Sequence, residues 1–278
     1  MPEESPTSET YILGHHSQEI HRLRLQGQLL NPFTRHLLQE AGISQGMRVL
    51  DIGCGPGDVS LLAAELVGQQ GQVVGVDSNP AALAVAQRRA QEAGFSQICF
   101  QTADIHELSV EGQFDALVGR LILPHASVTK SPLPHLLTHL RQGGVVAFQE
   151  FDFPAHQTST QPVCPLWEQA VTWCIEISQR AGVDTQMGMK LARMLMAEGL
   201  PAPQLRYEAA IGAGPSWLGY ECLTELVRSL LPLIVQLGIA TAQDIEIETL
   251  AERLREENRS LGSVARLPVL VSARTHLA

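Results

Sequence analysis

Apolar residues in the first half of the chain alternate between two patterns. Short continuous apolar runs, typical of buried strands, are separated by longer segments with helical spacing. The patterns predict strands at 47–52, 72–76, 98–101, 114–119 and 145–150, and helices at 59–67, 81–93 and 133–140. Strands separated by helices of this length predict a parallel sheet, wound by right-handed crossovers and covered on both faces.

The rest of the chain is predicted to be mostly helical. Residues 11–41 have helical spacing, and Pro32 is predicted to start a second helix there at its first turn, giving a two-helix N-terminal segment. Later segments are predicted as helices at 163–180, 187–198, 216–237 and 241–261, and as strands at 204–211 and 267–273. We interpret the late helices as a lid over the carboxyl edge of the sheet.

Composition narrows the class of protein. The chain has 278 residues, of which 45% are hydrophobic and 17% charged, as in globular proteins with a sizeable core. Its net charge of -10, without a Lys/Arg run, argues against nucleic acid as a partner. The five cysteines form no CxxC pair, which favours reduced thiols. The start of the chain is polar and no apolar run is long enough to span a membrane, so we expect a cytoplasmic protein.

The most informative segment is VLDIGCGPGD at 49–58, a glycine loop between a predicted strand and a predicted helix. Glycines let the backbone turn tightly and approach a ligand, and the helix N-terminus favours an anionic group. A turn that holds no ligand remains an alternative. A dinucleotide fingerprint would need glycine at Asp58, and a P-loop would need Gly-Lys-Ser/Thr, which is absent.

Acidic side chains follow the next two strands. Asp77 ends the second strand about 20 residues after the loop, where a carboxylate can accept hydrogen bonds from ribose hydroxyls. Asp104 follows the third strand, in a position to meet an adenine amino group. Both lie at the carboxyl edge, where open parallel sheets bind ligands.

The ordered motifs VLDIGCGPG, VVGVDSNPAAL, FQTADIHEL, FDALVGRLIL and GGVVAFQEFD resemble those of class I S-adenosylmethionine-dependent methyltransferases, in the UbiE-like branch that modifies small molecules. The resemblance covers 47–151, and YILGHHSQEIHRLRLQ resembles a bacterial subgroup of these enzymes. It implies an α/β fold: a Rossmann-like, doubly wound, mostly parallel seven-stranded sheet with N-terminal helices and a helical lid inserted among the last strands. The implied units are 1–42, covering the cofactor, 43–153, the cofactor-binding core, and 154–278, the lid with the last strands.

The resemblance also implies the cofactor S-adenosylmethionine, with S-adenosylhomocysteine as its product, and assigns residues to each part of it. The implied methionine contacts are Asp51, Gly53, Gly55, Arg120 and Leu121, with Tyr11 and Gln26 of the N-terminal segment near the carboxylate. The implied ribose contacts are Asp77 and Ser78, and the implied adenine contacts are Asp104 and Ile105.

Methyl transfer from a sulfonium is an in-line displacement that requires alignment and exclusion of water. A general base is needed only when the nucleophile must lose a proton. The catalytic candidates are His125, Glu150 and His156, and further base candidates are Asp152, His15 and His16. A metal site built from Glu150, Asp152 and His156 is the less favoured interpretation, and we expect no metal.

We therefore expect a methyltransferase acting on O, N or C of a small hydrophobic or aromatic molecule of secondary metabolism. The lid aromatics Trp167, Trp173, Trp217 and Tyr220, and the methionines at 187, 189, 194 and 196, are more typical of core than of pocket, but a few facing inward would form an apolar pocket. A quinone-ring C-methyltransferase and a non-catalytic binder of S-adenosylmethionine are the alternatives. The expected partner is the methyl acceptor, and monomer and homodimer both remain open.

Overall fold

The computed structural model describes residues 17–126, 131–153 and 158–278. The first half of the chain alternates strands and helices after one long N-terminal helix. Its elements are α1 (Ser17–Glu40), β1 (Arg48–Ile52), α2 (Asp58–Val67), β2 (Gln72–Asp77), α3 (Pro80–Glu92), β3 (Ile98–Thr102), β4 (Phe114–Arg120), α4 (Leu123–Ala126), α5 (Leu133–Leu137) and β5 (Leu140–Asp152).

The second half is mainly helical, with short strands between the helices. Its elements are β6 (Thr160–Gln161), α6 (Pro165–Arg180), α7 (Met187–Ala197), β7 (Gln204–Glu208), β8 (Ile211–Gly212), α8 (Gly219–Gln236), α9 (Ala242–Ile245), α10 (Leu250–Leu261), β9 (Val264–Arg266) and β10 (Val269–His276).

Seven strands form one sheet in the order β3-β2-β1-β4-β5-β10-β7. The first five strands run parallel, and β10 is antiparallel to both β5 and β7. The prediction of a mostly parallel, doubly wound, seven-stranded sheet is therefore confirmed. The fifth strand begins at Leu140 rather than at 145, because the predicted helix before it ends at Leu137.

Alternate strand residues supply the two faces of the core. Leu50 belongs to the cluster that α5 and α7 cover, whereas its neighbour Val49 belongs to the cluster that α1 and α2 cover. Successive side chains of a strand point to opposite faces, and both faces of this sheet carry helices. The continuous apolar runs in the sequence follow from this double burial.

The prediction of two N-terminal helices is wrong, because α1 continues through Pro32. Proline removes the backbone donor that would reach the carbonyl of Gln28. Both residues are exposed, so water can bind that carbonyl, while Leu30 and Thr34 on the buried side anchor both halves of the helix. The other residues of the predicted segment before Ser17 lie outside the described residues.

Three features of the second half also differ from the prediction. Helix α7, predicted as part of the lid, packs on β5 and β10 and contributes Met187 to the sheet core, while Met189 and Met196 are exposed. The single helix predicted at 241–261 is divided into α9 and α10, since Glu246 adopts a left-handed φ of 45°. A small sheet in the order β6-β9-β8 was not predicted, because strands of two or three residues leave no periodic signal.

Helices α6, α8 and α10 form a cap with a core of its own. Trp167 stacks on Trp217 with ring centroids 5.5 Å apart, and Tyr220 meets both rings edge-on. Leu29 and Phe33 of α1 pack against the same cluster, so α1 touches both the cap and the sheet. Within the described ranges, no helix has the length and apolar character needed to cross a membrane.

Gly27 allows α1 to approach α2 closely. A Cβ atom at this position would lie 2.7 Å from the carboxyl carbon of Asp58. We expect Gly27→Ala to lower the free energy of unfolding by about 1–3 kcal/mol through overpacking, despite the better helix propensity of alanine. Urea denaturation measures the change, and Gln28→Ala on the exposed side of α1 is the control. Unchanged or increased stability of Gly27→Ala would show that the approach is not tight.

Candidate functional site

A cavity of about 780 Å³ lies at the carboxyl edge of the parallel strands, between the sheet and the cap. Its size is in the range of small-molecule sites. The wall residues of the glycine loop and of the segments that follow β2 and β3 form what we call the loop half. The wall residues of α6 and α8, together with 151–153, 181–185 and 266–268, form the cap half, and α1 closes over both.

The glycine loop presents bare backbone to the cavity. Gly53 and Gly55 have φ angles of 62° and 51°, in the left-handed region that favours glycine. A Cβ atom on Gly53 would lie 2.5 Å from Ile122 Cδ1, whereas a Cβ atom on Gly55 would have only Leu23 Cδ1 nearby, at 3.9 Å. The absence of a side chain at Gly55 therefore keeps this part of the cavity open.

The carboxylate of Asp77 holds the glycine loop from the next strand. The backbone N–H of Gly55 donates to Oδ2 at 2.8 Å, and the backbone N–H of Asn79 donates to Oδ1 at 2.8 Å. Asp77 and Ser78 both lie on the cavity wall, as the sequence predicts for a ligand-binding strand end.

Asp104 and Ile105 continue the same wall after β3. The backbone N–H of His106 donates to Asp104 Oδ1 at 2.8 Å, which fixes the carboxylate in its turn. Ile105 is buried and supplies an apolar surface beside it. The structure thus brings the predicted ribose and adenine residues together along one wall.

Asp51 does not reach this wall. It is buried behind the loop, where Ser60 Oγ donates to Oδ2 at 2.5 Å and Oδ1 has no hydrogen-bond partner among the described residues. Burial raises the pKa of Asp51 to about 7, against the hydrogen bond from Ser60. Its implied contact with the methionine part of the cofactor stays a prediction.

A charge cluster of Asp58, Arg89 and Arg120 lies beneath α1. Arg89 Nη2 donates to Asp58 Oδ1 at 2.9 Å. Arg120 Nη1 donates to Asn31 Oδ1 at 3.1 Å and to Thr34 Oγ1 at 2.8 Å, both on α1. Burial lowers the pKa of Arg120, and the attraction of Asp58 opposes this. Arg120 and Leu121 are on the cavity wall as predicted, but the guanidinium of Arg120 is turned toward α1.

The inner face of α1 carries a buried polar chain that our sequence analysis found only in part. Arg22 donates to Glu19 Oε1 at 2.6 Å and to Gln26 Oε1 at 2.7 Å. Ser229 Oγ of α8 donates to Glu19 Oε2 at 3.2 Å, which ties α1 to the cap. The predicted residue Gln26 is on the cavity wall, as are Glu19 and Arg22. Their helical spacing is the signal that identifies the other two.

The loop after β4 donates two backbone hydrogen bonds to Glu150, near the end of β5. The backbone N–H groups of Ile122 and Leu123 both donate to Glu150 Oε1 at 3.0 Å. Leu121 has a φ of 56°, unusual for a residue with a side chain, and its N–H donates to the carbonyl of Gln149. Glu150 is fully buried on the cavity wall, and burial raises its pKa to about 8 although both N–H groups oppose the shift.

Among the other base candidates, Asp152 is the one whose side chain the structure describes. Asp152 is buried away from the cavity, and burial raises its pKa. His125 belongs to α4, but its side chain lies outside the described part of the chain. The remaining predicted residues Tyr11, His15, His16 and His156 also lie outside the described ranges.

The cap half of the cavity is mostly apolar. Its wall includes Phe151, Phe153, Trp167, Val171, Cys174, Cys222, Leu223, Leu226, Leu230 and Leu267. Burial raises the pKa of Cys174 to about 12 and that of Cys222 to about 11, so both thiols are neutral. Asp184, paired with Lys190, and Arg266 add polar groups. Of the four lid aromatics, Trp167 is on the wall and the other three pack in the cap core.

The geometry, with a glycine loop, two acidic strand ends and a capped cavity, agrees with the comparison to protein families. The family model described as "Methyltransferase domain" matches residues 43–198, more than half of the chain. The chain belongs to the methyltransferase-domain family. The matched segment contains the glycine loop, Asp77, Asp104 and Glu150.

Three curated relatives of the family resemble this chain over part of their length. A trans-aconitate 2-methyltransferase from Azoarcus sp. is 33% identical over 126 residues, which are 44% of this chain and 47% of the relative. The aklanonic acid methyltransferase DauC from Streptomyces sp. is 33% identical over 51% of this chain and 64% of its own. The C-methyltransferase UbiE of ubiquinone and menaquinone biosynthesis from Idiomarina loihiensis is 31% identical, covering 51% and 54%. The chain thus spans about half the length of the curated relatives it matches.

Two solved structures share the fold. YcgJ from Bacillus subtilis has a TM-score of 0.56 and 18% sequence identity, covering 87% of this chain and 98% of its own. The [4+2]-cyclase SpnF has a TM-score of 0.54 and 18% identity, covering 90% and 83%. Together with the strand order, these likenesses establish the Rossmann-like methyltransferase fold.

The raised pKa values of Asp51 and Glu150 predict a pH-dependent stability. Both acids keep a proton in the folded protein at pH values where the unfolded chain, with carboxyl pKa values of about 4, has lost it. The folded state therefore binds more protons between about pH 4 and pH 8, and the free energy of unfolding falls as pH rises across this window.

We expect a higher Tm at about pH 5.5 than at about pH 8. The double variant Asp51→Asn, Glu150→Gln should show a smaller difference between the two pH values, since amides do not titrate. Differential scanning calorimetry measures both proteins. A wild-type Tm that rises with pH would contradict the raised pKa values of Asp51 and Glu150. The same Tm difference in the double variant as in the wild type would contradict them too.

Proposed function

We propose that the protein binds S-adenosylmethionine in the loop half of the cavity and transfers its methyl group to a small apolar molecule held in the cap half. The observation that carries this proposal is one continuous cavity with two chemically different ends. The loop half offers exposed backbone and fixed carboxylates, whereas the cap half offers apolar and aromatic surface.

The loop half fits the proposed cofactor on several independent points. The open space at Gly55 lets an extended ligand lie against the loop backbone. Asp77 holds two fixed oxygens at the end of β2, suited to ribose hydroxyls, and Asp104 with Ile105 offers an acceptor and an apolar surface for adenine. When bound, S-adenosylmethionine supplies a methyl group on a positively charged sulfur.

The chain's own residues would align the reactants and exclude water. The polar chain of Glu19, Arg22 and Gln26 fixes α1 over the cavity, and the bond from Ser229 fixes α1 to the cap. Such closure keeps water from the reacting atoms and sets the line of attack. No covalent intermediate with the protein is required.

The apolar cap half favours a hydrophobic or ring-bearing acceptor of the secondary-metabolite type. A tricarboxylate such as aconitate would need several cations in that half, where Arg266 is the cationic side chain among the described wall residues. Of the three relatives described above, the aklanonic acid methyltransferase DauC best supports this class. A quinone-ring C-methyltransferase is the second candidate, because the same apolar surface suits a quinone and UbiE is among the relatives.

Transfer of a labelled methyl group tests the proposal. Purified protein, methyl-labelled S-adenosylmethionine and a panel of hydroxylated, amino-substituted and quinone aromatic compounds should yield labelled product. A panel of small polycarboxylates is the matched comparison and should yield none. Cofactor binding without transfer to any compound would favour the non-catalytic binder.

Asp77→Ala should weaken the binding of S-adenosylhomocysteine by about 1–3 kcal/mol, or about 5- to 150-fold in Kd, because a hydrogen-bonded charged acceptor is removed. Isothermal titration calorimetry measures the change. The control is Asp115→Ala, which removes a carboxylate that Arg48 and Arg141 bind at the opposite end of β4, away from the cavity wall. Equal affinities of wild type and Asp77→Ala would contradict the ribose assignment.

Gly55→Val should abolish cofactor binding, because its side chain would enter the open space beside Leu23 from a strained backbone. Gly94→Val is the matched control: Gly94 also has a positive φ, of 75°, and open space around it, but it lies outside the cavity wall. Both variants should lose stability, and only Gly55→Val should lose binding. Normal titration of a folded Gly55→Val protein would show that the loop does not contact the ligand.

A further inference from the structure

Glu150 differs from the other carboxylates on the described cavity wall in having an oxygen that is buried and has no hydrogen-bond partner. The others accept a hydrogen bond or ion pair from this chain: Glu19 from Arg22, Asp58 from Arg89, Asp77 from Gly55 and Asn79, Asp104 from His106, and Asp184 from Lys190. Glu150 uses one oxygen in this way. Its Oε2 is buried and has no hydrogen-bond partner among the described residues.

On the basis of the function proposed above, we propose that Glu150 is the catalytic base. Its Oε2 takes the proton of the methyl acceptor, so the acceptor atom is an oxygen or nitrogen that carries hydrogen. Neither the family match nor the names of the relatives assign this role to the residue.

The geometry fixes Oε1 and leaves Oε2 without a partner. Two backbone N–H groups hold Oε1, and the cavity wall covers Oε2, so the carboxyl group must turn about Oε1 to meet the acceptor. The left-handed conformation of Leu121, which turns the loop toward β5, costs of order 1–3 kcal/mol. Strain of this kind at a ligand cavity is typical of functional sites.

Glu150 also occupies the boundary between the two halves of the cavity. Arg120 of β4 pairs with Gln149 in the sheet, so Glu150 begins the segment directly beside the loop after β4. Ile122, which donates to Glu150, packs against Gly53 of the loop half, and the next residue, Phe151, belongs to the cap half; all are on the wall. A cofactor in the loop half and an acceptor in the cap half would meet at this boundary.

The backbone around Glu150 is held from two further sides. Val271 of β10 pairs with Glu150 across the sheet, and a Cβ atom on Gly188 of α7 would lie 3.0 Å from the Glu150 carbonyl. The groups that bind its side chain are neutral N–H groups, and a pKa of about 8 places the acid near neutral pH. A base is most effective in that range.

The proposed step balances in atoms and charge. The acceptor oxygen or nitrogen forms a bond to the methyl carbon, the carbon–sulfur bond breaks, and its electron pair stays on sulfur. The acceptor's proton moves to Glu150 Oε2 and passes to water after product release. A carboxylate and a sulfonium become a neutral acid and a neutral thioether, which an apolar cavity favours.

Glu150→Gln tests the role while preserving shape and the acceptor oxygen for both backbone N–H groups. The probes are 1-naphthol and 1-naphthylamine, which must lose a proton, and 2-naphthalenethiol, which ionises more readily and needs little help from a base. We expect kcat for the first two probes to fall by about 10²- to 10⁴-fold, with the thiol rate and the Kd of S-adenosylhomocysteine within about threefold of wild type.

Glu208→Gln is the matched control. Glu208 is a carboxylate on β7 with one unpartnered oxygen and a pKa that burial raises, but it lies away from the cavity. All three rates should be unchanged in this variant. Infrared difference spectra of the wild type add a readout that does not depend on any variant: 1-naphthol should shift the carbonyl stretch of a protonated carboxyl group.

Several results would overturn the inference: an unchanged naphthol rate in Glu150→Gln, an equal loss of the thiol rate, no infrared shift, or methylation of ring carbon. A wild-type protein that binds the cofactor but methylates none of the hydroxyl and amino probes would also overturn the inference. The proposed cofactor site would stand in that case. Failure of the wild type to bind S-adenosylhomocysteine would instead overturn the proposed function first.

Discussion

The position of α1 depends on the half-buried charge cluster of Asp58, Arg89 and Arg120, and the cavity depends on α1. Asp58 begins α2 directly after the glycine loop, and Arg89 reaches it from α3. Arg120 extends from β4 to two side chains of α1. Removal of Arg89 would leave the buried carboxylate of Asp58 without its ion pair, which destabilises a folded chain. The cluster therefore fixes the helix that closes over both halves of the cavity.

The same cluster explains the departure from the dinucleotide fingerprint. In that motif a third glycine allows close packing of the first helix. Here that position is Asp58, and the space it needs is provided by Gly27 on α1. The loop is thus adapted to a helix lying across it. This arrangement supports a ligand enclosed by α1 rather than one extended across an open sheet edge.

The fold does not determine the chemistry, since the [4+2]-cyclase SpnF has it too. Methyl transfer is therefore inferred from family membership and from the two chemically different ends of the cavity. The apolar cap half supports the proposal of an apolar acceptor, and the unpartnered Oε2 of Glu150 supports the proposal of an acceptor atom that carries a proton. The apolar surface and the unpartnered oxygen belong to the side chains that line the cavity, and the topology of the sheet does not determine them.

Much of the sheet could be predicted from sequence, because strands buried on both faces are continuous apolar runs. The glycine loop, Asp77 and Asp104 could be identified because each lies at or just after the end of such a run. The continuity of α1 through Pro32 could not be predicted, because a proline is tolerated there only on the exposed side of the helix. The two hydrogen bonds to Glu150 could not be predicted either, because their donors Ile122 and Leu123 are 28 and 27 residues away in sequence. Both bonds also depend on the turn at Leu121.

Calorimetric titration of the wild-type protein with S-adenosylmethionine, S-adenosylhomocysteine and NAD shows whether the loop half binds the proposed cofactor. We expect saturable binding of the first two ligands at one site per chain and no heat from NAD. Binding of NAD alone, or of none of the three, would contradict the assignment of the loop half.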